Sequence, residues 1–232
     1  MTNNPFPTFS EPLPGAVVFD LDGTLIDTAP DLHAATNHAL AQAGRDGITL
    51  AQCRDMIGDG LVKLIELGLA ATGGPVEDPS MDRLVASAFA HYAGHLTDNS
   101  KTYDGVIETL ESLAAAKVPM AVCTNKPAGF SRRLLADLDL ARYFKAILGG
   151  DSFLVRKPDP AHLLGTLEPL GVAARDAIMV GDSATDVAAA RNAGVPVIVT
   201  SYGYTQTPPA ELGADAVVDN FLELPGAFAA IR

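Results

Sequence analysis

Cysteine is scarce in this chain. Cys53 and Cys123 are the only two in 232 residues and lie far apart, which leaves no zinc-ligand spacing and no redox pair. Cys123 sits in an apolar run and reads as a buried, inert thiol. Cations are scarce as well: 16 Lys and Arg stand against 28 Asp and Glu, a formal charge of −12. A nucleic-acid-binding surface needs clustered cations to displace counterions from phosphates. No such cluster occurs, so nucleic acid is not an expected partner. The acidity suits solubility, and it requires any anionic substrate to be met by a metal ion or a few well-placed cations. No apolar run approaches 20 residues and no signal peptide is recognisable, so no membrane partner is expected and the expected location is the cytoplasm. Internal repeats and low-complexity segments are absent too.

What is present is apolar: 48% of the residues are hydrophobic, enough for a sizeable core without disulfides. Short apolar runs predict strands at Ala16–Phe19, Met120–Cys123, Ala177–Val180, Pro196–Thr200 and Ala216–Val218, with a weaker candidate at Ala146–Leu148. Helix-period segments lie between them, at Val106–Ala116, Phe130–Leu138 and Thr185–Ala193. That alternation predicts an α/β fold, a doubly wound parallel sheet covered on both faces. Continuous apolar runs such as Gly15–Phe19 suit strands buried on both sides. One stretch breaks the rhythm. From about Thr28 to Ser100 the pattern is helical throughout. Thr28-Ala-Pro-Asp31 reads as a capping box with Pro in the first turn, and Leu32, Ala35, Ala39 and Leu40 supply an apolar stripe. The expected organisation is a Rossmann-like core of residues 14–27 and 101–232, an inserted all-helical cap domain at 28–100, and a loose N-terminal tail at 1–13.

Four clusters carry chemistry. Asp20 and Asp22, in Phe19-Asp-Leu-Asp-Gly-Thr-Leu-Ile-Asp27, follow the first strand on either side of one apolar residue. In an open α/β sheet, ligands sit at the carboxyl ends of strands. Two acids side by side in a cleft repel unless a cation lies between them, and carboxylates are the hard oxygen ligands that Mg²⁺ prefers. Gly23 allows a sharp turn there; a plain Asp-Gly turn is the other reading. Thr124 and Asn125 lie at the end of another strand, where a hydroxyl and a backbone amide can bind a phosphate oxygen or simply cap a loop. Lys157 precedes Pro158, which limits its swing, so its ammonium is either a fixed charge or a solvated surface group. Asp182 and Asp186, in Gly181-Asp-Ser-Ala-Thr-Asp186, open an Ala-rich helix, where carboxylates are favoured by the dipole; Asp182 can also complete a metal site with Asp20.

The order Asp-x-Asp, Thr, Lys, Gly-Asp-x-x-x-Asp resembles the haloacid dehalogenase-like hydrolase superfamily over roughly Gly15 to Tyr204. The resemblance implies Asp20 as nucleophile, Asp22 as general acid/base, and Thr124 and Lys157 as phosphate holders. It implies Mg²⁺ bound by Asp20, the Asp22 main-chain carbonyl and Asp182, with Asp186 orienting the metal's water shell or Lys157, and with Gly23 and Thr24 in support. The helical insertion matches the superfamily's cap. Asp27–Leu32, Arg54–Gly60, Cys123–Pro127 and Ser201–Tyr204 are similar to bacterial phosphoglycolate phosphatases. That likeness implies a phosphomonoesterase acting on a small phosphorylated metabolite, 2-phosphoglycolate first. Arg54 would meet the substrate's carboxylate or simply stand exposed on its helix, and Gly58 would let the cap backbone approach; a monomer or homodimer is expected. Asp59 departs from the Asn of several relatives and would point away or bind Lys63. Pyrophosphate, nucleoside monophosphates and sugar phosphates are the alternative substrates, although the mutases' His position is Leu32 here, with His33 one place off on the helix surface. A phosphonate hydrolase would need Lys63 as a Schiff-base lysine. A non-catalytic phosphate-binding protein is the reading from another class.

Overall fold

A computed structural model describes residues 13–76 and 78–231. Apart from Leu13, the expected N-terminal tail lies outside the described residues. In chain order the strands and α-helices are β1 (Ala16–Phe19), β2 (Ile26–Asp27), α1 (Ala29–Gln42), α2 (Leu50–Met56), α3 (Leu61–Ala71), α4 (Asp78–Gly94), β3 (Lys101–Thr102), α5 (Val106–Ala115), β4 (Met120–Cys123), α6 (Ala128–Asp137), β5 (Ala146–Leu148), α7 (Pro160–Leu167), β6 (Ala177–Gly181), α8 (Ala184–Ala193), β7 (Val197–Thr200), β8 (Ala216–Val218) and α9 (Leu224–Ala230). The described residues fall into two compact units. One runs to Ile26 and resumes at Thr102; the other is Asp27–Lys101.

The first unit is built on a six-stranded sheet in the order β5-β4-β1-β6-β7-β8. Every pairing in it is parallel, with Val17 opposite both Met120 and Ile178. All residues of β1, β4, β6 and β7 are buried, which is why these strands read as unbroken apolar runs rather than alternating ones. Alternate residues still face opposite layers. Val18, Cys123, Met179 and Val199 join Leu163 and Leu167 of α7 and Val187 and Ala190 of α8 in one cluster. Phe19, one residue out of phase with Val18, stacks on Phe221 at 5.8 Å and meets Phe144 edge-on at 6.2 Å. The chain leaves β1 for β4 and β5 on one side, then returns to β6 on the other. That reversal opens a crevice beyond the carboxyl end of β1.

The second unit is helical. α1 packs against α2, α3 and α4, and its buried Leu32, Ala35, Ala39 and Leu40 are the stripe read from the sequence. The capping box expected at Thr28 does not form. Thr28 has α-region backbone angles and makes no side-chain cap. Asp31 turns away because it has stronger partners: its carboxylate accepts from the Asn99 and Ser100 N–H groups, at 3.0 and 2.8 Å, and from Ser100 Oγ at 2.6 Å. A complete capping box occurs instead at α2, between Thr49 and Gln52. Two short strands were not anticipated. β2 and β3 pair with each other where the chain enters and leaves the insertion. His33 is half-buried rather than a plain surface group, its Nε2 2.7 Å from Ile48 O.

Candidate active site

Asp20 follows the last residue of β1, Thr124 the last of β4, and Asp182 the last of β6. Because these strands are adjacent and in parallel register, three separate segments deliver polar side chains to one crevice. Oxygens of Asp20, Asp182 and Asp186, all buried, lie within 4.8 Å of one another. Lys157 Nζ sits against two of them, 2.8 Å from Asp20 Oδ1 and 2.6 Å from Asp186 Oδ1.

Each charged group is fixed by its surroundings. Asp182 accepts from Thr24 Oγ1 at 2.9 Å on one oxygen and from the Tyr204 N–H at 2.8 Å on the other. Two glycines make room for it. A Cβ on Gly203 would fall 2.1 Å from Asp182 Cβ, and one on Gly23, whose φ is +85°, would fall 2.5 Å from Asp182 Oδ2. Asp186 holds the first turn of α8 through a reciprocal capping box with Ser183, so its capping role and its contact with Lys157 coexist on different oxygens. The Lys157 backbone is pinned at both ends: its N–H donates to His162 Nδ1 at 3.2 Å and its carbonyl accepts from Asn125 Nδ2 at 3.0 Å. Thr124 Oγ1 accepts from the Lys126 N–H at 3.2 Å.

The electrostatics follow from burial. Loss of solvent pushes the Asp20 carboxyl up to about 6; Lys157 opposes the shift, and Asp186 and Asp22 add to it. Asp182 is raised well above the ordinary carboxylate range, first by burial, then by Asp186 and Asp20. Burial alone would lower the Lys157 pKa, but Asp186 and Asp20 reverse that and hold the ammonium charged. Asp20 Oδ1 is buried and, beyond its ion pair, accepts no aligned hydrogen bond. Three hard oxygen donors that repel one another, one of them short of a partner, fit a divalent cation. Both thiols are buried, and burial pushes Cys123 up to about 11 and Cys53 up to about 12, which favours the protonated thiol over the nucleophilic thiolate.

The haloacid dehalogenase-like hydrolase family pattern matches residues 17–200. The chain belongs to the haloacid dehalogenase-like hydrolase family. Among curated relatives in the family, the phosphoglycolate phosphatase of Agrobacterium fabrum is 43% identical over 215 residues, covering 93% of this chain and 92% of its own. That of Rhodospirillum rubrum is 44% identical over 216 residues, covering 91% and 90%. The crystal structure of a predicted phosphoglycolate phosphatase from Haemophilus somnus superposes with a TM-score of 0.86 at 29% identity, covering 90% of this chain and 96% of that one.

Within this hydrolase, Asp20, Asp22, Gly23, Thr24, Thr124, Asn125, Lys157, Asp182 and Asp186 all belong to the sheet unit. Arg54 and Gly58 belong to the helical unit, where Arg54 pairs with Asp27 at 2.8 Å and Gly58 has a φ of +152°. Lys63 pairs with Glu66 at 3.0 Å in the open, so it is not bound by Asp59 and lacks the desolvation a Schiff-base lysine needs. The carboxylate trio includes Asp186, whereas the Asp22 carboxylate is taken by Lys126, at 3.0 and 3.2 Å. Lys126 and His162 escaped the sequence reading. The run Thr124-Asn-Lys126 places Lys126 beside the named residues, but nothing local shows that its side chain turns inward. No helix among the described residues is long and apolar enough to cross a membrane.

Proposed function

We propose that this hydrolase cleaves 2-phosphoglycolate to glycolate and phosphate through a phosphorylated Asp20, with Mg²⁺ as cofactor. The reading is carried by the Asp20 carboxylate, held 2.8 Å from Lys157 at the carboxyl end of β1. The names of the two curated relatives support the substrate. Asp20 attacks phosphorus and the bond to the leaving oxygen breaks. Asp22 gives that oxygen its proton, then takes one from the water that attacks the acyl-phosphate, releasing phosphate and restoring Asp20. Lys157 and the Thr124 hydroxyl hold the phosphoryl oxygens, and Asn125 fixes Lys157 through its backbone carbonyl. Asp20, Asp182 and the main-chain carbonyl of Asp22 would hold the cation, with Asp186 within reach. When bound, Mg²⁺ would offset the repulsion between carboxylate and phosphate and stabilise the equatorial oxygens. Arg54 is the helical unit's group for the substrate carboxylate, and Gly58 follows it after Asp55, Met56 and Ile57. The substrate is a soluble metabolite, the site of action the cytoplasm, and the working form a monomer or homodimer.

The test is kcat/KM on 2-phosphoglycolate, glucose phosphates, pyrophosphate, nucleoside monophosphates and phosphonoacetaldehyde, with Mg²⁺ and with chelator. 2-Phosphoglycolate should dominate, chelation should abolish turnover, and Asp20→Asn should be inactive yet folded. Dominance of another ester would overturn the substrate, and an active Asp20→Asn would overturn the nucleophile.

A further inference from the structure

Two lysines are buried among the described residues, Lys126 and Lys157, and both lie at the carboxyl end of the sheet. Lys157 is occupied by Asp20 and Asp186. Lys126 is not needed by either. Its Nζ spans both oxygens of Asp22, at 3.0 and 3.2 Å, with 5% of the residue exposed. A buried ammonium costs several kcal/mol unless paired, and a solvated surface lysine would have served a purely structural loop equally well. The backbone sets where it points. The Lys126 N–H donates to Thr124 Oγ1 at 3.2 Å, and its carbonyl accepts from the Gly150 N–H at 3.1 Å. The ammonium is therefore aimed from a fixed loop at the end of β4 towards the end of β1.

Charge gives this placement a purpose. The crevice holds four carboxylates, Asp20, Asp22, Asp182 and Asp186, against these two lysines. An ester whose leaving alcohol also carries a carboxylate brings a third negative charge past the phosphate, and that charge needs its own cation. If Asp22 protonates the leaving oxygen, that oxygen lies one hydrogen bond from Asp22, and Lys126 lies one hydrogen bond from Asp22 as well. A carboxylate on the carbon next to the ester oxygen then falls within the span of those two bonds.

Resting on the phosphatase reading above, we infer that Lys126 is a specificity-determining residue of the sheet unit, whose ammonium binds the carboxylate of the leaving alcohol and selects phosphate esters of 2-hydroxy acids over esters of neutral alcohols.

The experiment compares kcat and KM for 2-phosphoglycolate and for 2-hydroxyethyl phosphate, which replaces the carboxylate by a neutral alcohol. It uses the wild type, Lys126→Met and Lys126→Arg with saturating Mg²⁺, and melting curves report the fold of each. Wild type should prefer 2-phosphoglycolate. In Lys126→Met that preference should shrink by roughly 10- to 100-fold, the range a charge-assisted hydrogen bond supplies, mainly through KM for 2-phosphoglycolate. Lys126→Arg should keep more of the preference, and it carries the test if the Met variant melts early. Equal losses on both esters would show that Lys126 acts only through Asp22 and overturn the inference. A wild type that prefers 2-phosphoglycolate and a Met variant that keeps the preference would overturn it alone. A wild type without the preference would overturn the substrate reading and this inference together.

Discussion

Asp186→Asn is the substitution that tests how the site is held together. The wild-type carboxylate works with both oxygens as acceptors. Oδ1 receives Lys157 Nζ at 2.6 Å, and Oδ2 receives the Asp182 and Ser183 N–H groups and Ser183 Oγ, at 3.2, 3.1 and 2.7 Å. An amide offers one acceptor and one donor. Turned either way, it sets an NH₂ group against an ammonium or against three donors. Removing one partner of a buried ion pair costs about 3–5 kcal/mol. Here Asp20 still pairs with Lys157, and Asp182 and Asp20 are relieved of a neighbouring charge, so a net loss of about 2–4 kcal/mol is expected. At about 2–4 °C per kcal/mol for a chain of this size, melting should fall by roughly 5–15 °C. The assay is thermal unfolding at pH 7 of wild type, Asp186→Asn, Lys157→Met and the double variant. Because the two residues touch, the double variant should lose less than the sum of the singles, by about 1–3 kcal/mol. Additive losses, or an Asp186→Asn protein that melts with the wild type, would refute the ion pair as the organising contact.

Gly203→Ala forces a Cβ to within 2.1 Å of Asp182 Cβ; both backbone segments must shift, and kcat/KM should fall by more than about 10²-fold, a loss typical of a displaced site. Unchanged kinetics would show that Asp182 tolerates displacement. His162 is buried, and burial, with Lys157 nearby, pushes its pKa down to about 4. The fold therefore favours neutral His162, and the stability this gives is full above the unfolded value of about 6.5 and lost as pH falls through about 4, up to roughly 3 kcal/mol in all. In melting curves from pH 8 to pH 4, His162→Gln should destabilise less at the acid end than at pH 8, and a difference independent of pH would refute this.

The sheet was legible because its strands are buried on both faces, so apolar runs such as Ala16–Phe19 and Ala177–Val180 carry their own signal. The placement of the candidate site residues was legible where a motif follows a strand, as Asp20, Thr124 and Asp182 do. What stayed hidden was decided by partners distant in sequence. Thr28 looked like a helix cap until Asp31 found Ser100, 69 residues away. Lys126 carries no local sign that its ammonium meets Asp22, 104 residues away. His162 lies in α7 with no local sign that its ring receives the Lys157 N–H.

The clasp between Asp31 and Ser100 has a bearing on how such a chain could have been assembled. By tying the two ends of a 69-residue excursion together, it presents the sheet with a short bridge where the sequence has a long detour. Closing a loop of that length costs about 0.6 kcal/mol more for each doubling, so shortening it to under ten residues saves roughly 2 kcal/mol of chain entropy. An insert that closes on itself in this way is a module, open to exchange or enlargement in evolution or by grafting while the sheet that hosts it keeps its register.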